Sequence, residues 1–298
     1  MVNVLLSTYN SEKYLQTQID SILSQEGADV KLTVRDDGST DSTLGLLADY
    51  ARQHSNVEYY ADGENLRSAK SFMRLLEKAG EAAYYAFADH DDYWMPEKLA
   101  VAVEALKQYD DVPALYFCQT QLADKDLNKI PSVIIKPRLT FGESLVYGFI
   151  GGCTMVMNRK LRDIVVSYRP DFIEMHDTWI YRIALAIGAK VVFDPIPHIL
   201  YRQHGNNVIG QGQGSLYEWR ARADRLLHGK QVRHATAVEL QKGFLHLMPE
   251  QNRELLSLFV DARYSLPKRI KLLFSSDYKC ADPTTWRIFK AVLLINRY

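Results

Sequence analysis

Asp89, Asp91 and Asp92 lie within four residues, around His90, at the end of the apolar run 83–88. Carboxylates crowded at a strand end repel one another. A divalent cation relieves that repulsion, and hard oxygen ligands suit Mg²⁺ or Mn²⁺. Such an ion could also hold a diphosphate, which carboxylates alone would reject. The plainer reading is a solvated turn in which Asp92 caps the next helix. A second acidic run, Asp36-Asp37-Gly38-Ser39-Thr40-Asp41, reads as a tight turn, with Asp41 capping a helix through the Thr43 or Leu44 amide. Asp36 and Asp37 have less structural need to be acidic, and either could accept from a base N–H or a ribose hydroxyl. Tyr9, after Ser7-Thr8, could stack on a base or pack on the helix behind it. Lys70 could reach a phosphate or be a solvated surface lysine. Asp177, after His176, could complement a helix dipole or take a proton from a hydroxyl. His204 could bind a metal or diphosphate, although a lone histidine is more often structural.

The elements that must position these residues alternate. Strands are expected at 2–6, 30–34, 57–60 and 83–88. Helices are expected from about Tyr14 to Leu23 with a cap at Asn10-Ser11, at 42–52, at 68–78 and from Pro96. This order predicts right-handed crossovers and a mostly parallel sheet flanked by helices. Ligands of such sheets sit beyond the carboxyl ends of the strands. Thr8-Tyr9-Asn10, Asp36-Asp37 and Asp89 to Asp92 all fall there. Further on, strands are expected at 114–118, 190–193 and 199–202, and at 151–157 with a glycine entry. Helices are expected at 140–147 and 177–187. The four glycines of 205–214 read as a flexible loop, and the chain beyond Ser215 reads as helical almost throughout.

The 298 residues are enough for a core without disulfide or metal staples. Three scattered cysteines, Cys118, Cys153 and Cys280, give no disulfide framework or zinc spacing, which points to a reducing cytosol. Nothing at the start reads as a signal peptide, and no apolar run reaches the ~18 residues of a membrane span. The zero net charge hides a split. From Ser215 onward there are 15 Lys/Arg and 8 Asp/Glu, leaving 21 and 28 in the first 214 residues. The acidic part suits a cation, and the basic tail suits an anionic surface. In that tail Lys268-Arg269, Lys271, Arg287 and Lys290 interleave with Leu272-Leu273-Phe274, Trp286, Ile288 and Phe289. Such helices could lie peripherally on an anionic bilayer, pack as an appendage, or form a homodimer contact. No nucleic-acid partner is expected.

Together these segments resemble the family 2 glycosyltransferases of GT-A fold. The resemblance runs through Val4-Leu5-Leu6-Ser7-Thr8-Tyr9-Asn10, Arg35-Asp36-Asp37-Gly38-Ser39-Thr40-Asp41-Ser42 and Ala88-Asp89-His90-Asp91-Asp92-Tyr93-Trp94. It continues through Gly151-Gly152-Cys153-Thr154 and His176-Asp177 to Tyr201-Arg202-Gln203-His204-Gly205-Asn206-Asn207. Within the family the chain looks most like bacterial rhamnosyltransferases of capsule, O-antigen and cell-wall polysaccharide assembly. Those enzymes commonly carry Gln or Glu where this chain has His90.

The resemblance implies a catalytic domain at about 1–214, with a nucleotide-sugar half to about 112 and an acceptor half beyond, then a helical region at 215–298. It implies that Thr8, Tyr9 and Asp37 hold the nucleoside, and Asn10, Asp36 and Lys70 are further candidate substrate-binding residues beside them. Asp89 would touch the ribose or sugar. Asp91 would bind Mn²⁺ or Mg²⁺ bridging the diphosphate, and His204 would be a late metal or diphosphate ligand. Asp177 would be the base, with His176 beside it, and Trp94, Gly151 and Gly152 would border the sugars. A nucleoside-diphosphate sugar would be the donor, and a glycan or lipid-linked glycan the acceptor. UDP-hexose or UDP-N-acetylhexosamine transfer is the nearest rival, and a non-catalytic nucleotide-sugar binder is the rival of another class. A nucleotidyltransferase usually has a glycine- and basic-rich loop after strand one, which this chain lacks. No Gly-X-Gly-X-X-Gly opens a helix, which disfavours a dehydrogenase.

Overall fold

The computed structural model describes residues 1–132, 136–148, 150–204 and 231–298. Its first half alternates β1 (Val2–Thr8), α1 (Leu15–Leu23), β2 (Val30–Asp36), α2 (Thr43–Gln53), β3 (Val57–Ala61), α3 (Arg67–Lys78) and β4 (Tyr84–Ala88). Then come β5 (Tyr93–Trp94), α4 (Lys98–Lys107), β6 (Ala114–Cys118), β7 (Gln121–Ala123), α5 (Phe141–Val146), β8 (Met155–Asn158), α6 (Arg159–Val166), α7 (His176–Ala186), β9 (Lys190–Asp194) and β10 (Ile199–Arg202). The tail is α8 (Val232–Phe244), α9 (Glu250–Asp261), α10 (Leu266–Phe274) and α11 (Pro283–Leu294).

Seven strands form one sheet in the order β3-β2-β1-β4-β8-β6-β9. All pairings are parallel except those of β8, which runs antiparallel to β4 and β6. The mostly parallel α/β sheet matches the expectation. Both of its faces are covered, so its strands read as near-continuous apolar runs. Alternate β1 residues part between two cores: Leu5 faces one with Phe87 and Trp179, while Val4 and Leu6 face another with Ile19 and Leu99. A second sheet, β5-β10-β7, brings β10 back beside the turn after β4.

Three local expectations are corrected. The helix α1 has no side-chain cap. Ser11 Oγ instead accepts from Tyr9 N at 3.1 Å, and the Asn10 carboxamide oxygen from Thr40 N at 2.8 Å. The strand expected at 151–157 begins only at Met155, because Gly152–Thr154 forms a 3₁₀ turn. The short strands β5 and β7 and the helix α6 were not anticipated, and two or three residues carry little periodicity. The glycine loop 205–214, the start of the helical tail and the boundary at 214 lie outside the described residues.

The tail packs on the same core as α5 and α7. Leu240, Phe259, Leu272, Phe289 and Tyr298 all belong to it. The buried Glu143 carboxylate ties the two parts together, accepting from the Ala281 amide at 2.7 Å and the Arg138 amide at 2.6 Å. No helix among the described residues is long and apolar enough to cross a membrane.

Candidate active site

The carboxyl ends of β1, β2 and β4 open onto a cavity of about 1100 Å³. That exceeds a typical single-ligand pocket of roughly 300–1,000 Å³. Thr8, Tyr9, Asn10, Asp37, Asp89, Asp91, Gly151, Gly152, His176, Asp177 and His204 all line it. Segments far apart in sequence therefore share one chamber, where the strand-end rule puts it.

Three expected residues do not line it. The Asp36 carboxylate is consumed by its own turn, accepting from Thr8 Oγ1 at 2.9 Å, Gly38 N at 3.1 Å, and Ser39 N and Oγ at 2.8 and 2.5 Å. Lys70 lies on the outer side of α3, beside Arg74 and Asp171 at a separate small depression. Arg67, Ser68 and Phe72 of that helix face the cavity instead. Trp94 is 1% exposed. Pairing with β10 buries it, and the Lys98 ammonium stands 3.6 Å from its ring centroid.

At the β1–β2 end of the cavity Tyr9 is half exposed, its ring open to stacking. Asp37 is fixed from behind: Arg35 Nη1 donates to Oδ1 at 2.5 Å, Leu66 N at 2.7 Å, and Arg67 N to Oδ2 at 2.8 Å. The Arg35 guanidinium also binds Asp62 at 2.6 Å and Ser71 at 2.8 Å. Carboxylate hydrogen bonds hold it charged although it is wholly buried. The signal for this brace was an arginine wholly inside the sheet next to the acidic turn that ends β2.

Across the cavity His204 Nε2 stands 2.7 Å from Asp91 Oδ2, with both side chains about one-seventh exposed. Arg202 sets this pairing. Its amide donates to Asp92 Oδ1 at 3.0 Å, its Nε to the Asp91 carbonyl at 2.7 Å and its Nη1 to the Lys125 carbonyl at 2.6 Å. Its guanidinium also stacks over the Tyr14 ring at 4.3 Å. Asp89 lies between this pair and Asp177. Burial, then the Asp91 and Asp177 charges, push its carboxyl up to about 7. A cation bound among these groups would reverse that shift.

The described residues also contain a deeper trio of potential ligands, Asp89, Asp92 and Cys153, within 4.8 Å of one another. Burial, with neighbouring carboxylates, pushes both the Asp92 carboxyl and the Cys153 thiol well up. A thiol raised in this way stays protonated, and a protonated thiol is a poor ligand. Asp92 does not reach the cavity. The carboxylate and imidazole of Asp91 and His204 offer the O/N donor set that Mn²⁺ accepts, in an accessible place.

Asp177 is gripped at both oxygens, by Gly152 N at 3.1 Å and Thr178 N at 2.5 Å. His176 stacks on Phe72 at 4.1 Å and meets Phe87 edge-on. Neither ring nitrogen has a partner, and burial lowers its pKa to about 4, so it is neutral. Gly152 must be glycine, since a Cβ there would lie 2.5 Å from His176 Nε2.

The sheet and its strand-end cavity define an α/β architecture of GT-A type, and the chain belongs to Glycosyl transferase family 2, whose model matches residues 3–165. It is 25% identical over 222 residues to the dTDP-rhamnosyl transferase RfbG of Shigella flexneri, covering 69% of this chain and 73% of that one. It is 28% identical over 161 residues to the putative teichuronic acid biosynthesis glycosyltransferase TuaG of Bacillus subtilis, covering 54% and 63%. In fold it is similar to S. aureus TarS residues 1–349, solved with UDP-GlcNAc (TM-score 0.63, 17% identity, covering 100% of this chain and 81% of that one). It is also similar to the mannosyltransferase PcManGT of Pyrobaculum calidifontis, solved with GDP-Man and Mn²⁺ (TM-score 0.57, 19% identity, covering 99% and 85%). The likeness to these solved structures concerns the GT-A fold alone.

Proposed function

We propose that this transferase is an inverting, cation-dependent enzyme. It moves L-rhamnose from dTDP-rhamnose to a glycan or lipid-linked glycan in bacterial surface polysaccharide assembly. One observation carries the mechanism: Asp177 and the Asp91–His204 pair line the same cavity, with Asp89 between them. The RfbG likeness supports the donor sugar.

Tyr9 and Asp37 receive the nucleoside, Tyr9 by its open ring and Asp37 by the lone pair that its three donors leave free. Asp91 and His204 would hold Mn²⁺ or Mg²⁺, which when bound neutralises charge on the diphosphate oxygens. Asp177 takes the proton from an acceptor hydroxyl. That oxygen bonds to the anomeric carbon as the bond to the diphosphate oxygen breaks. The nucleoside diphosphate departs from the opposite face, so configuration inverts. Gly152 N and Thr178 N keep the carboxylate aimed while leaving it lone pairs for the proton. Residues to about 112 serve the donor and those beyond, to about 214, the acceptor.

The test is a panel of dTDP-, UDP- and GDP-sugars, scored with Mn²⁺ by thermal shift and by donor turnover. dTDP-rhamnose should give the largest stabilisation and support turnover. Preference for a UDP-hexose would replace the rhamnose assignment, and binding without turnover of any donor would replace the enzymatic one.

A further inference from the structure

The C-terminal helices turn one face to the core and leave another in solvent. On α10, Leu272 is wholly buried, while Leu266, Ile270 and Phe274, spaced four apart, are 63%, 49% and 79% exposed. That spacing places the three on one stripe. Six of the thirteen large apolar side chains exposed among the described residues fall between Tyr264 and Ile295. The same stretch is the most basic of the chain. Residues 263–298 hold eight Lys/Arg and two Asp/Glu. Both acids serve local turns: Asp282 caps α11 and Asp277 accepts from Ser275 Oγ. Lys271 adjoins the stripe and makes no ion pair among the described residues, whereas Lys268 is held by Asp261 at 2.5 Å.

Exposed apolar side chains beside Lys271, in a stretch whose basic residues outnumber its acidic ones, form an interfacial surface. The apolar groups enter the acyl boundary while the ammonium groups meet acidic headgroups. A protein partner would need matching acidic and apolar patches, whereas an acidic phospholipid leaflet offers both at once. We infer that the outer face of α10 docks the protein on an acidic phospholipid surface, with Leu266, Ile270 and Phe274 inserting and Lys271 pairing with headgroups. This brings the cavity to the membrane without adding a catalytic group, and it stands or falls apart from the transfer chemistry.

The test is co-sedimentation of the full chain with vesicles of phosphatidylcholine alone or mixed with phosphatidylglycerol, at low and high salt, without donor or acceptor. The protein should pellet with acidic vesicles at low salt and be released at high salt. Ile270→Ser/Phe274→Ser should lower partitioning about tenfold or more at unchanged melting temperature. Lys271→Glu should weaken binding to acidic vesicles only. The inference is overturned by a chain that stays in the supernatant, by equal binding to neutral vesicles, or by a double variant that binds like the parent. It is likewise overturned if light scattering shows a dimer that the double variant splits while no vesicle is bound.

Discussion

His204 Nε2 lies 2.7 Å from Asp91 Oδ2, joining residues 113 positions apart in the chain. The contact rests on Asp92, whose Oδ1 accepts from the Arg202 amide two residues before His204. Burial and the charges of Asp91 and Asp89 push the Asp92 carboxyl well up, while the bond from the Arg202 amide needs only one oxygen acceptor. An amide can therefore replace it.

Asp92→Asn keeps the oxygen acceptor and should leave Mn²⁺ affinity within about threefold. Asp92→Ala removes the acceptor and should cost about 10–100-fold, in the range typical of residues that orient metal ligands. Isothermal titration with Mn²⁺ reads both. Equal losses in the two variants would mean that the bond to Arg202 does not set the pair.

Asp177→Asn should lower kcat by about 10²–10⁴-fold, the usual contribution of a general base. Donor affinity should hold, because the variant leaves Tyr9, Asp37 and the Asp91–His204 pair untouched and keeps a carboxamide oxygen to accept from the Gly152 or Thr178 amide. Single-turnover assays with donor titration separate the two, and near-normal turnover would remove Asp177 from the base role.

Gly152→Ala puts a Cβ 2.5 Å from His176 Nε2, so either the ring or the turn must move. The Gly152 amide also holds Asp177. The variant should lose about 1–3 kcal/mol of stability and lose kcat out of proportion to KM. A melt and a Michaelis curve check this. An unchanged kcat would mean that the base does not depend on the turn.

His176 is neutral in the fold with a pKa near 4, against about 6.5 unfolded. Between those values the unfolded chain binds the extra proton, so stability falls as pH drops from about 6.5 to 4. The full term, present above 6.5, is roughly 3 kcal/mol. His176→Gln should flatten this part of the pH–stability curve relative to the parent in urea melts. Parallel curves would show that the imidazole does not titrate this way.

What was legible in the sequence was what depends on near neighbours. The turn into α2 is one case: Asp41 Oδ1 accepts from Thr43 N at 3.0 Å as expected, although Ser42 rather than Asp41 holds the cap position and its side chain makes no cap bond. The strand-end placement of Tyr9, Asp37 and Asp89 is another, since apolar runs and turn residues announce it. Trp94 misled for the opposite reason, since it is buried by β10, more than a hundred residues away in the chain. Asp36 misled because residue type does not report side-chain direction: its carboxylate turns back to Gly38 and Ser39 of its own turn, with Thr8 from β1 adding one donor. Lys70 misled because helix phase, which its lone charge does not report, turns Phe72 inward instead. Arg35 and Arg202 were passed over because most of their partners, Asp62 and Ser71 for the one and Asp91, Asp92 and Lys125 for the other, meet them only in three dimensions.

The placement of β10 has a consequence for biosynthesis. A nascent chain halted before Ile199 already carries every aspartate of the acidic turn, yet has neither the imidazole nor the guanidinium that organises it. The contact between Asp91 and His204 thus waits until synthesis has passed residue 204, and a chain terminated earlier lacks one half of the proposed cation seat.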